Sequence, residues 1–179
     1  MIVLRVNAGA LPGDSWVNSS EEGGGRILGE LCHFVDLARF LAGSPISSVL
    51  ADAAANLYGA CDDLTVTLRF QDGSLATIIY TAQGDSAYSK ERIECFAGGM
   101  VVAVDNYLTL SITTNGRTRV EKARMGQDKG HRAELQAFAA AVAAGGPAPI
   151  DESELMETAQ ATIAVLESLR EGCRIELET

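Results

Sequence analysis

Basic residues are scarce in this 179-residue chain: 14 Lys and Arg stand against 24 Asp and Glu, for a formal net charge of −10. A surface of that sign repels a phosphate backbone and an anionic bilayer, so nucleic acid and membrane are excluded as partners. No apolar run reaches the roughly 18 residues of a spanning helix, and the opening MIVLRVNAG carries no cationic leader, so a soluble cytoplasmic protein is expected. The four cysteines, Cys32, Cys61, Cys95 and Cys173, are evenly scattered with no CxxC pair. That excludes a disulfide scaffold and predicts free thiols. Also missing are GxSxG, which would mark a nucleophilic serine, and the HExxH or paired Cys/His spacings of a zinc site, so no metal-binding residue is expected.

What is present suffices for one α+β domain over residues 1–179. Hydrophobic residues make up 47% of the chain, enough for a fold of this length to bury about 70% of its unfolded surface. Ile2 to Val6 read as a first strand. From Ala10 to Gly25 periodicity is lost among Pro12, Gly13, Asp14, serines and three consecutive glycines, a connection long enough to carry function. Trp16, the only tryptophan, lies in it, either as a lid anchor or as a ring facing ligand.

A helix is expected from Arg26 to Ala42, with Ile27, Leu31, Phe34, Ala38 and Leu41 as its apolar stripe and Gly43 and Pro45 as its stop. The period then changes from 3.6 to 2. Strands are expected over Ile46 to Ala54, Leu64 to Phe70, Leu75 to Thr81, Glu91 to Ala97, Met100 to Val104, Tyr107 to Thr113 and Arg117 to Lys122. Asp72-Gly73, Gly98-Gly99 and Asn115-Gly116 are the turn signals that make the sheet mainly antiparallel. Two helices follow, one carrying Leu135, Phe138, Ala139 and Val142, the other running from Asp151 to Arg170 behind a capping box with Glu154. A strand from Arg174 to Glu178 closes the chain. The helices are too few and too bunched for alternating βαβ units, so an open antiparallel sheet with helices on one face is predicted, its other face exposing apolar residues such as Ile78 and Tyr80.

Gly23, Gly25 and Gly29 form GxGxxxG, one residue off a dinucleotide fingerprint and placed after an acidic irregular segment rather than after a buried strand, so no cofactor-binding residue is assigned. His33 is the best candidate for proton chemistry, because imidazole exchanges protons near neutrality and Glu30 or Asp36 lies within one helical turn to orient it. The same spacing also suits a helix histidine paired only for packing. His131 reads as a solvated helix start. Cys61-Asp62-Asp63 and the acidic residues of the last two helices read as exposed.

The element order, together with GGGRILGELCHFVDLARFLAG, GHRAELQAF and ESLREGCRIEL, resembles the C-terminal domain of the Gfo/Idh/MocA oxidoreductases over nearly the whole chain. The resemblance implies that family's open sheet, which is dihydrodipicolinate-reductase-like, a sugar-like or polyol substrate, and a homo-oligomer formed through the sheet. It implies His33 as the catalytic acid or base, with Trp16, Arg26, Glu30 and Asp36 at the substrate. Many members carry DxGxHxxD; here Gly29 and Leu31 replace the aspartate and the glycine, and Glu30 offers the carboxylate. NAD or NADP is expected on a Rossmann domain, from the same gene or a partner chain, and not on these residues, so hydride transfer by this chain alone is not expected. The alternative is a stand-alone, non-catalytic binding or assembly module of the same fold.

Overall fold

The structure is a computed structural model that describes residues 1–10, 25–54 and 62–177. The elements are β1 (Ile2–Asn7), a wide π turn (Ile27–Leu31) leading into α1 (Cys32–Ala42), β2 (Ile46–Ala53), β3 (Leu64–Phe70), β4 (Leu75–Thr81), β5 (Glu91–Ala97), β6 (Met100–Asp105), β7 (Thr109–Thr114), β8 (Arg117–Lys122), α2 (His131–Ala144), α3 (Glu152–Glu171) and β9 (Ile175–Glu176). The strands form one nine-stranded sheet in the order β8-β7-β6-β5-β1-β4-β3-β2-β9. All neighbours run antiparallel except β1 and β4. The fold class is therefore the predicted one, an open and mainly antiparallel sheet with three helices.

Turn chemistry accounts for the hairpins. Asn115 and Gly116 sit at φ 49° and 69°, the left-handed pair that a two-residue loop between Thr114 and Arg117 requires. Gly98 and Gly99 do the same between Ala97 and Met100, at φ 56° and 75°. The Asp72-Gly73 connection is longer than two residues, because Asp72 accepts from the Ser74 N–H at 2.9 Å and its own N–H reaches Ser44.

Alternation sets the two faces. Ile2, Leu4 and Val6 of β1 register with Ala76, Ile78 and Tyr80 of β4, and all six are buried beneath the helices. The expectation that Ile78 and Tyr80 face outward is thus wrong by one residue; Ile79 is the exposed member of that strand. The helical stripe also departs from expectation. Buried positions are Ile27, Leu31, Val35 and Ala38, whereas Phe34 is half-buried and Leu41 exposed. The π turn adds one residue to the helix, so the core-facing phase after Leu31 moves from Phe34 to Val35.

α1 packs on β1 and β4, and α3 packs on β2, β9 and α1, so helices cover only half of the sheet. α2 has no buried residue, contrary to the expectation that all helices cover the sheet. Burial fades from β5 outward, and every residue of β8 is exposed. No helix among the described residues is long and apolar enough to cross a membrane.

Polar groups tie the helix layer to the strands. Glu157 of α3 accepts from the Ile46 N–H at the start of β2 and from Arg39 Nε of α1 at 3.2 Å, joining three elements, so it is not a simple exposed acid. Ser168, fully buried, accepts from the Ala51 N–H at 2.9 Å and donates to the Cys173 carbonyl at 2.6 Å. Replacing it by alanine leaves a buried donor and a carbonyl unpaired, so Ser168→Ala is expected to lower stability by about 1–3 kcal/mol in urea unfolding. An unchanged denaturation midpoint would show that water replaces the hydroxyl.

Candidate functional site

The helix-bearing side of the sheet holds a cavity of about 530 Å³ where α1 passes the ends of β1 and β5, a volume in the ordinary range for small-molecule sites. Val6 and Glu91 come from the sheet. Glu30, His33, Phe34, Asp36 and Phe40 come from the π turn and α1, and Tyr107, Lys129 and His131 stand across from them. In sequence these residues are scattered from Val6 to His131, and the central placement of β1 between β4 and β5 gathers them.

Three of the expected site residues, Glu30, His33 and Asp36, line this cavity together. His33 is exposed on its wall. The two carboxylates are engaged away from it: Glu30 accepts from the Tyr80 hydroxyl, and Asp36 accepts from Thr158 Oγ1 at 3.1 Å. Among the described residues no carboxylate is hydrogen-bonded to His33, so the imidazole is oriented by its helix and by what enters the cavity. Arg26 lies behind the wall and does not line the cavity. Its guanidinium is 2% exposed, donates to the Gly9 carbonyl at 2.8 Å and to Tyr80 Oη at 3.2 Å, and lies 3.8 Å from Glu30 and 3.7 Å from Asp62. Trp16 lies outside the described residues, as does Cys61.

Asp62 and Asp63 are half-buried and bonded, which corrects their reading as exposed. Burial acts to raise the Asp63 carboxyl, but hydrogen bonds from Thr81, Gln83 and the Ala82 N–H outweigh it and hold it below its ordinary value.

Sequence reasoning missed Glu91, Tyr107, Lys129 and the cavity position of His131. Glu91 is 5% exposed; one carboxylate oxygen accepts from Lys129 Nζ at 2.8 Å, and the other has no hydrogen-bond partner among the described residues. The available signal was parity, since Glu91 shares the alternation of buried Ile93. Burial, and then the Glu91 charge, push the Tyr107 phenol up. Tyr107 sits at φ 53°, a strained left-handed position for a bulky residue. The turn is fixed by bonds from the Asn106 N–H to the Glu91 carbonyl and from the Leu108 N–H to the Asp105 carbonyl. Asn7, at the end of β1, donates to the Asp85 carbonyl at 2.8 Å, and a Cβ on Gly84 would come 2.0 Å from its Oδ1, so only glycine allows that approach.

Chemically, the cavity offers two imidazoles, His33 and His131, beside the Glu30, Asp36 and Glu91 carboxylates, groups able to exchange hydrogen bonds with a small polar molecule. The described residues contain no group of His, Cys, Asp and Glu arranged to hold a metal ion.

The sequence profile of the GFO/IDH/MocA C-terminal domain matches residues 1–105. The chain belongs to that family. An uncharacterized oxidoreductase of Bacillus subtilis, YrbE, is 25% identical over an alignment of 172 residues that covers 87% of this chain and 49% of that protein. The UDP-N-acetylglucosamine 3-dehydrogenase GnnA of Acidithiobacillus ferrooxidans superposes with a TM-score of 0.75 at 21% identity, covering 95% of this chain and 53% of its own. The aldose-aldose oxidoreductase of Caulobacter crescentus, complexed with glycerol, gives 0.82 at 16% identity, covering 98% and 55%. The chain therefore spans about half the length of its relatives, and these structures share its fold.

Tyr80 makes the buried network testable by pH. Burial first, then the Glu30 carboxylate, raise its phenol well above the ordinary value of 10.0. The folded state therefore keeps the proton as pH rises past 10.0, while the unfolded chain releases it. The stabilisation is complete below that pH and is lost above it, by about 1.4 kcal/mol per pH unit. Urea unfolding at pH 9 and at about pH 11 is expected to show a smaller decline in Tyr80→Phe than in the parent; equal declines would place the loss elsewhere.

Proposed function

We propose that this chain is the substrate-binding and oligomerisation domain of a cytoplasmic NAD(P)-dependent oxidoreductase that acts on a sugar or polyol. The observation that carries the reading is the cavity itself, which brings His33, Glu30 and Asp36 together in a chain of this family. The names of the relatives, a nucleotide-sugar dehydrogenase and an aldose-aldose oxidoreductase, support the substrate class. The cofactor, which supplies hydride acceptance or donation, belongs to a Rossmann half encoded in the same gene or in a partner chain.

Within this division of labour His33 exchanges a proton with a substrate hydroxyl, Glu30 and Asp36 accept hydrogen bonds from neighbouring hydroxyls, and the Arg26–Tyr80 pair holds Glu30 in place. In the complete enzyme His33→Ala is expected to lower kcat by about 100- to 10,000-fold with saturating substrate. A near-normal rate would remove the acid–base role and favour the second reading, a non-catalytic binding module. That no carboxylate among the described residues is bonded to His33 is the observation on that second side.

Oligomerisation is assigned to the helix-free face of the sheet, where Ile79 is exposed at the centre. Ile79→Arg is expected to reduce the mass in sedimentation equilibrium to that of one chain. A parent protein that is already monomeric would end this assignment.

A further inference from the structure

α2 is built unlike a helix that faces water. Of its fourteen residues, HRAELQAFAAAVAA, only Arg132 and Glu134 carry full charge, and yet none is buried. Leu135, Phe138 and Val142 are 69%, 59% and 66% exposed and lie at i, i+3 and i+7, on one face. A helix with so few solvating groups is stable when something covers it. What fixes α2 here is confined to its leading end, where Lys129 pairs with Glu91 at 2.8 Å and Gln127 donates to the Asn106 carbonyl at 2.8 Å. The cavity mouth continues the apolar surface: Phe40, 74% exposed on α1, and Ile150, 43% exposed just before α3, line the cavity along with His131 and Glu134 of α2.

We propose that the Leu135–Phe138–Val142 face of α2, with Phe40 and Ile150 at the rim, is the surface on which the dinucleotide-binding half docks. This rests on the reading of the chain as the substrate half of an oxidoreductase. Two observations select that occupant. The structural relatives carry a little under half of their length beyond the part this chain covers, so a body of comparable size remains to be seated. Hydride transfer also needs the reacting atoms about 3–3.5 Å apart, so whatever carries the nicotinamide must close over the mouth that holds His33. α2 is continuous with that mouth. The helix-free face lies on the opposite side of the sheet, so a second copy bound there leaves α2 open. Docking on α2 completes the substrate site by covering it and makes α2 the element through which the halves hold their relative position.

The test is hydrogen–deuterium exchange of residues 131–144 in this chain alone and in the complete enzyme or the complex with its dinucleotide-binding partner, together with kinetics of Phe138→Glu. Protection of α2 at least tenfold greater in the complete assembly is expected. Phe138→Glu is expected to abolish that gain and to lower kcat/KM at least tenfold, while Arg170→Glu near the far end of α3 leaves both unchanged. Because Phe138 is exposed in this chain, circular dichroism of the isolated variant should match the parent. Equal exchange in the two states would overturn the proposal while leaving the oxidoreductase reading intact. Protection already present in the dilute isolated chain would assign the face to the chain's own residues, and protection that grows with its concentration would assign it to a second copy; either result overturns the proposal. Failure to find any dinucleotide-binding half, in the gene or as a partner chain, would remove the reading and the proposal together.

Discussion

The insertion of β1 between β4 and β5 is the constraint on which the rest of the molecule depends. It is made of two backbone ladders, parallel on one side and antiparallel on the other, and it joins strands that lie more than seventy residues away in sequence. Because one edge of β1 meets the helix-covered half and the other meets the bare half, the strand also marks where the helix layer stops. The step left at that boundary is the cavity. Val6 supplies part of its floor, and β5 begins beside it with Glu91. Displacing β1 would separate the His33 helix from the Lys129 side of the cavity without breaking either.

A second layer of order comes from burying charge sparingly. Arg26 is nearly as inaccessible as the core leucines, a costly position for a guanidinium unless its donors are used and its charge is answered. The charge is answered by the Glu30 and Asp62 carboxylates, and the terminal nitrogens donate to the Gly9 carbonyl and the Tyr80 hydroxyl, while Nε, 3.7 Å from Asp62, has no hydrogen-bond partner among the described residues. The π turn at residues 27–31 is what allows Arg26 and Glu30 to flank Tyr80 while His33, only three residues on, stays at the surface. The site thus has a rigid back wall and an accessible front.

Local signals were readable in the sequence; long-range placement was not. Strand alternation, the glycine turns and the helix stops follow from nearest-neighbour stereochemistry, and they predicted the strands, the hairpins and the fold class. The family resemblance pointed to His33, and the structure sets it beside Glu30 and Asp36. Parity in β4 was misjudged because a run such as Leu75 to Thr81 has apolar residues at both parities, and only pairing with β1 decides which set faces the helices. Glu91 and Lys129 escaped notice because a single buried charge leaves no periodic trace, and Arg26 was expected at the substrate rather than behind the wall because a buried arginine reads like an exposed one until its partners are known. α2 was read as a covering helix from its leucine, phenylalanine and valine, since composition reports that a face wants to be covered and not by what.

At the far edge, β8 presents six exposed residues, RTRVEK, four of them charged. A sheet edge is a row of unsatisfied backbone donors and acceptors ready to accept another strand. Here an incoming strand would meet arginines, a glutamate and a lysine that must be desolvated before any ladder can form. At the opposite edge, β9 is only two residues long. The sheet therefore has almost no length along which to grow at one end and a charged fringe at the other. Both edges are thereby protected from fibre-like extension.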